Sequence, residues 1–189
     1  MGVFVSGNTA WLADQANGLH RINIADKNAP SWERTYGNTT GAHSVATEDG
    51  TSVYVCDYEK GLQEVVNRAD DFRSPADARR LFVDDDDYLY VVDSASAGEG
   101  LRILDAYYPG SISYESFVET PGQAQDVFVA GNYAYVADGD EGLMIIDVSD
   151  KDDPAAPIQV DTNGTAYGVF VSGDYAYVAD GTSGLQIID

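Results

Sequence analysis

Tyr133-Ala134-Tyr135-Val136-Ala137-Asp138, followed after four residues by Leu143-Met144-Ile145-Ile146-Asp147, is the stretch that decides the fold. Alternation of small or apolar residues with aromatics predicts one short strand, the apolar run predicts a second, and the Gly-bearing linker predicts a tight turn between them. Variants of the pattern recur along the chain. Asp14, Asp57, Asp93, Asp138 and Asp180 close the first strand of each copy, at spacings of 43, 36, 45 and 42 residues. Three positions before each stands an aromatic (Trp11, Tyr54, Tyr90, Tyr135, Tyr177). A few residues after each comes Gly-Leu: Gly18-Leu19, Gly61-Leu62, Gly100-Leu101, Gly142-Leu143 and Gly184-Leu185. A period near 40 residues with several strands per unit marks a propeller or array.

Each column has a physical reason. The aromatic, on an alternating strand, faces one side of a sheet and wedges against the next. The Asp side chain is suited to accept backbone N–H groups of the following turn. The Gly adopts a backbone angle that other residues resist, and the Leu resumes the buried face. The five aspartates are therefore expected to be structural turn residues.

These residues carry a family resemblance. Tyr177-Val178-Ala179-Asp180-Gly181 with Gly184-Leu185-Gln186-Ile187-Ile188-Asp189 resembles the LVIVD repeat, a propeller-type repeat of bacterial and archaeal proteins, many exported or surface-attached. Copies four and five match closely, copy one fairly well, copies two and three loosely. The resemblance implies a β-propeller and supplies no catalytic residue.

The expected architecture is all-β: a propeller of five blades with three to four antiparallel strands each, or part of a larger one. The units fall at about 2–42, 43–80, 81–125, 126–167 and 168–189, in one domain. Gly61 to Leu81 spans 20 residues where equivalent intervals span 27, so unit two is expected to lack its outer strand, the polar segment 67–80 forming a loop. Unit five stops after its third strand. Neither terminus offers a spare strand to close the ring, so closure falls to side-chain packing, to a longer array, or to another chain at an exposed edge.

Ten basic against 32 acidic residues give a net charge of −22. Nucleic acid is excluded as a partner for want of a basic footprint, and an anionic membrane surface would repel the chain. The acidity fits a strongly hydrated exported protein or one adapted to high salt. Cys56 is the single cysteine, so no intrachain disulfide forms, and its position predicts a buried thiol. No apolar run is long enough to span a membrane. Met1 leads directly into a strand, so an exported protein of this sequence would have lost its leader.

Candidate chemistry is sparse. Asp84, Asp85, Asp86 and Asp87 sit at a hairpin turn and could hold a hard cation such as calcium through oxygen ligands, although such runs are more often solvated. Asp138-Gly-Asp140-Glu-Gly142 resembles the start of a calcium loop but lacks the acid at the twelfth position. Asp150, Asp152 and Asp153 correspond to Asp26, Asn28 and Pro30 of unit one, which predicts turn chemistry. His20 and His43 lie in different strands without a recognisable nucleophile. Arg21 and Glu64 occupy equivalent positions in adjacent units and are candidates for an ion pair between them. Asn38 and Asn163 match the N-glycosylation acceptor pattern. No cofactor is expected. The functional expectation is a non-catalytic extracellular or cell-surface binding or scaffold module with a protein or glycan partner. The alternatives are a self-assembling subunit, as homo-oligomer or filament, and an enzyme with an axial site.

Overall fold

Each copy of the repeat folds as its own antiparallel sheet in a computed structural model describing residues 2–37, 39, 41–47, 50–65, 78–93, 100–108 and 111–189. Blade one contains β1 (Gly2–Ser6), β2 (Thr9–Asp14), β3 (Gly18–Asn23) and β4 (Ser31–Tyr36). Blade two contains β5 (Ala42–Ala46), β6 (Tyr54–Asp57) and β7 (Gly61–Glu64). Blade three contains β8 (Ala78–Val83), β9 (Tyr88–Asp93), β10 (Gly100–Tyr108) and β11 (Ser111–Glu119). Blade four contains β12 (Asp126–Ala130), β13 (Tyr133–Ala137), β14 (Leu143–Asp147) and β15 (Ile158–Val160). Blade five contains β16 (Gly168–Ser172), β17 (Tyr175–Ala179) and β18 (Leu185–Ile188). Strands pair in sequence order within every sheet. The architecture is the expected propeller, with blades of three and four strands.

Unit three begins earlier than expected. Its inner strand starts at Ala78 rather than Leu81, because a register shift between Ala78 and Arg80 keeps this polar run paired to β9. The segment expected to replace the outer strand of blade two lies mostly outside the described residues, which resume at Ala78.

The core lies between blades. Trp11 of blade one joins Val45, Val53 and Val55 of blade two. Tyr90 joins Val127 and Val136 of blade four, and Leu143 with Ala137 meets Val169, Ala176 and Val178 of blade five. Trp11, Tyr54 and Tyr90 thus each serve the junction ahead of their blade, where burial of apolar area supplies most of the stabilisation.

The ring does not close. Among the described residues no strand of blade one packs extensively on a strand of blade five. Val3 and Val5 are left 68% and 55% exposed at one end, and Leu185 and Ile187 62% and 60% at the other. Closure of five blades by side-chain packing, the first of the three expected alternatives, is therefore not observed. β1 and β16 nevertheless belong to an identical hexapeptide, Gly-Val-Phe-Val-Ser-Gly, at 2–7 and 168–173.

Candidate functional site

In a regular strand successive side chains point to opposite faces. Two inner strands break that rule in adjacent blades. β5 shifts register against β6 between Ala42 and Ser44, and β8 shifts against β9 between Ala78 and Arg80. The inner strands of blades one, four and five pair with their neighbours without interruption. The inserted residues are His43 and Arg79. A bulge re-aims the side chains around it, and here Arg79 and Arg80, consecutive in sequence, line the same pocket.

That pocket has a volume of about 420 Å³ and is walled by His43, Arg79, Arg80, Tyr58, Tyr167, Gln15 and Gln125. It is built by the first three blades and by the connections that lead into blades four and five. Arg79 Nη1 donates to Gln125 Oε1 at 2.6 Å, and Arg80 Nη1 donates to the His43 carbonyl at 3.2 Å. His43 is buried, with Nδ1 2.9 Å from the Gly41 carbonyl. Behind it Asp126 lies 3.8 Å from Arg80 Nε and accepts the Val169 N–H. Burial pushes the Asp126 carboxyl above its ordinary range, while the Val169 N–H and Arg80 oppose the shift.

Arg80 also lines a second, apolar cavity of about 580 Å³ bounded by the inner strands. Phe4, Phe82, Phe128 and Phe170 face it, with ring centroids 5.1 Å apart for Phe82–Phe128 and 5.0 Å for Phe128–Phe170. Phe4 pairs with Trp11, Phe82 with Tyr90, Phe128 with Tyr135 and Phe170 with Tyr177. In blade two the residue opposite Tyr54 is Ala46, so one phenyl ring is missing from the set.

The five recurrent aspartates divide by partner. Asp14 accepts from Ala16 N, and Asp57 from Glu59 N and Lys60 N, in the turn ahead. Asp138 instead reaches back, accepting from Thr120 Oγ1 at 2.7 Å and Gly122 N at 2.8 Å. Asp180 accepts from Thr162 Oγ1 at 2.7 Å, and Asp57 also takes Gly41 N at 3.0 Å. Asp93 takes Arg102 Nε. The backward bonds tie blades two, four and five to the connections entering them. Their signal was present in sequence as Thr-x-Gly at 39–41, 120–122 and 162–164, 18 and 16 residues before the Asp. The Gly is needed for close approach: a Cβ on Gly122 would lie 2.2 Å from the Asp138 carbonyl oxygen.

The acidic candidates do not gather. Asp84 turns inward, accepting from Tyr88 N and Tyr90 Oη, with Lys151 Nζ at 3.6 Å. Asp87 adopts φ 63° in the turn. Asp138 and Asp140 face different partners, Asp140 taking Thr165 Oγ1. Asp150 accepts Asp152 N as Asp26 accepts Asn28 N, the same turn chemistry in both units. Among the described residues no three His, Cys, Asp or Glu side chains converge as metal ligands.

His20 and His43 are not brought together. His20 lies 3.6 Å from Asp14 and 3.2 Å from Thr35 Oγ1, buried under Trp32. The expected Arg21–Glu64 pair is absent: Arg21 pairs with Glu33 on the adjacent strand at 3.0 Å and stacks on Trp11, while Glu64 accepts from Ser52 Oγ. A cross-strand partner was nearer than the next blade. Cys56 is buried, and desolvation drives its thiol pKa sharply upward. Asn163 is exposed in the connection to blade five, and Asn38 lies outside the described residues.

The LVIVD repeat model matches residues 1–37, 121–162 and 163–189, more than half of the chain. This chain belongs to the LVIVD repeat family. No curated protein matches it. Among solved structures, the LVIVD chain is similar to the computationally designed Ika8 protein at 7% identity and TM-score 0.74, over 98% of this chain and 56% of that one. It is similar to the extracellular domain of BT4673 from B. thetaiotaomicron at 18% identity and TM-score 0.69, covering 98% and 27%. It is also similar to PorZ, a surface component of the type-IX secretion system of Porphyromonas gingivalis, at 11% identity and TM-score 0.68, covering 99% and 32%. At these identities the likeness shows the fold. The LVIVD chain spans about half the length of the first of these structures and about a quarter of the second. Among its described residues no helix is long and apolar enough to cross a membrane.

Proposed function

We propose that this LVIVD chain is a non-catalytic binding or scaffold module of an extracellular or cell-surface protein, with the pocket around His43 and Arg79 as its ligand site. One observation carries the reading. Two adjacent blades interrupt their pairing at the same level, and the inserted residues meet in one pocket. Bulges cluster where a fold re-aims side chains for use, and small-molecule sites join a concave wall to a few convergent polar groups. The extracellular domain of BT4673 and the surface component PorZ share the fold, which supports the location. The test is a ¹⁵N–¹H correlation spectrum of the chain titrated with mixtures of neutral, acidic and basic sugars and short peptides. Shifts concentrated at His43, Tyr58, Arg79 and Tyr167 are expected. Shifts confined to the outer strands, or none, would sink the reading.

A second reading, self-assembly, has its own observation. The exposed face of blade five (Ala179, Leu185, Ile187) repeats the residue types of the blade-four face (Ala137, Leu143, Ile145) that Val169 and Val171 help cover. Val3 and Val5, exposed on blade one, are the counterparts of those two valines. A second copy could therefore dock head to tail through the same chemistry, a heterologous contact that propagates. Light scattering at 0.05 and 1 M salt tests it. Association that grows with salt, as the −22 charge is screened, is expected. A strict monomer at both salts rejects it.

A further inference from the structure

We infer that the His43–Arg79 pocket takes a sugar acid: a hydroxyl-bearing body of monosaccharide to disaccharide size with a single carboxylate. The inference rests on the reading of this pocket as the ligand site and names its ligand class. The walls exclude the other classes in turn. Two consecutive guanidiniums, Arg79 and Arg80, stand in it; Asp126 offsets Arg80 from behind at 3.8 Å, and no Asp or Glu is among the described residues lining the pocket itself. A cation would meet repulsion there. An apolar ligand has the neighbouring phenylalanine-lined cavity available and would strand the amides of Gln15 and Gln125 in this one. A polyanion would work against the net charge of −22 with every charge it brought. A single carboxylate meets the planar, forked donors of arginine at the smallest such penalty.

The rest of the wall suits hydroxyls and a ring. Gln125 Oε1 already accepts from Arg79 and orients its guanidinium. Gln15 adds a side-chain amide with both donor and acceptor capacity. Tyr58 and Tyr167 are 61% and 58% exposed. Each offers an apolar face with a polar tip, which fits the C–H face and hydroxyl rim of a pyranose. With Nδ1 of His43 held at the Gly41 carbonyl, Nε2 is the polar atom its ring has left. A volume of about 420 Å³ accommodates one or two sugar rings.

Three probes of nearly equal size isolate the charge: glucuronate, its methyl ester and glucose. They are titrated into the full chain at 0.15 M salt by calorimetry and by ¹⁵N–¹H spectra. Glucuronate is expected to bind at least tenfold more tightly than either neutral probe, with shifts at His43, Arg79 and Tyr167. Arg79→Gln should erase that preference. Arg21→Gln, outside the pocket lining and paired with Glu33, should keep it. A free sugar acid and the single uronate end of a neutral oligosaccharide present the same group, and tighter binding of a disaccharide carrying one terminal uronate than of the monomer would assign the oligosaccharide. Equal or better binding of the ester or of glucose overturns the sugar-acid inference and leaves the pocket as a ligand site. Binding with no shift at the pocket, or no binding by any probe, overturns the inference, and the mixture titration then decides whether the pocket is a site at all. The ester comparison needs no variant, so a misfolded Arg79→Gln would not spare the proposal.

Discussion

Blade four and blade five present nearly the same face to their next neighbour. Leu143 is fully buried and Leu185 is 62% exposed. Ala137 is buried and Ala179 exposed; Ile145 is half-buried and Ile187 exposed. The side chains match in type, so position in the array decides burial. Stability in such an assembly is close to a sum over neighbouring units, and the same substitution should have very different effects at the two places.

The largest contrast is expected between Leu143→Asp and Leu185→Asp. The first places an unpaired carboxylate among Val169, Ala176 and Val178 and should cost about 4 kcal/mol or more. The second puts a charge on an exposed face and should change stability by less than about 0.5 kcal/mol. Urea unfolding of both variants measures the gap; similar midpoints would mean that blade five's face is covered in solution. In the head-to-tail reading, Leu185→Asp would also abolish salt-promoted association.

Next come the connections. Gly122→Ala should destabilise by about 2–3 kcal/mol, because the new Cβ would sit 2.2 Å from a backbone oxygen. Gly37→Ala, whose Cβ meets nothing within 4 Å, should leave the melting temperature nearly unchanged. Asp138→Ala removes the acceptor for Thr120 and Gly122 inside the core and should cost about 2 kcal/mol. Asp14→Ala, at a more exposed turn, should do visibly less. If the two aspartate variants melt together, the backward latch contributes no more than the forward one.

The smallest effect concerns pH. A hydrogen bond to Asp152 raises the Glu115 pKa, with desolvation adding to it. A carboxyl raised in the folded state binds a proton there more readily than in the unfolded chain. Its contribution is therefore present at low pH and fades as pH rises through the raised value. Glu115→Gln should flatten the stability profile slightly just above the usual carboxylate range. An unchanged slope would mean the two acids are apart in solution.

Much of the fold was legible because its signals are periodic. The Asp, aromatic and Gly-Leu columns placed each blade's middle strands to within a few residues. The pocket was not legible. A bulge is a one-residue offset between partners, and nothing in the run Ala78-Arg79-Arg80 announces whether its side chains alternate. The same offset hid the true start of blade three. Thr-x-Gly recurs at 39–41, 120–122 and 162–164, a fixed distance before Asp57, Asp138 and Asp180, so that latch, made by Gly41 in blade two and by threonine in blades four and five, could have been read from the sequence. It was missed because the threonines lie in connections, away from the strand pattern. Arg21 found Glu33 because β4 places it one strand away, a pairing that comparing equivalent positions between blades does not test.

The identical hexapeptides at 2–7 and 168–173 also bear on how such a chain changes length over generations. Each opens a blade, in the same register to the strand that follows. A crossover in the gene between the two copies would keep the reading frame and remove or add four whole blades, never a fraction of one. The lengthened product would join its two parts through the same Val-Phe-Val inner strand that now meets blade four, so a founding sequence of this kind could grow by recombination without breaking a blade.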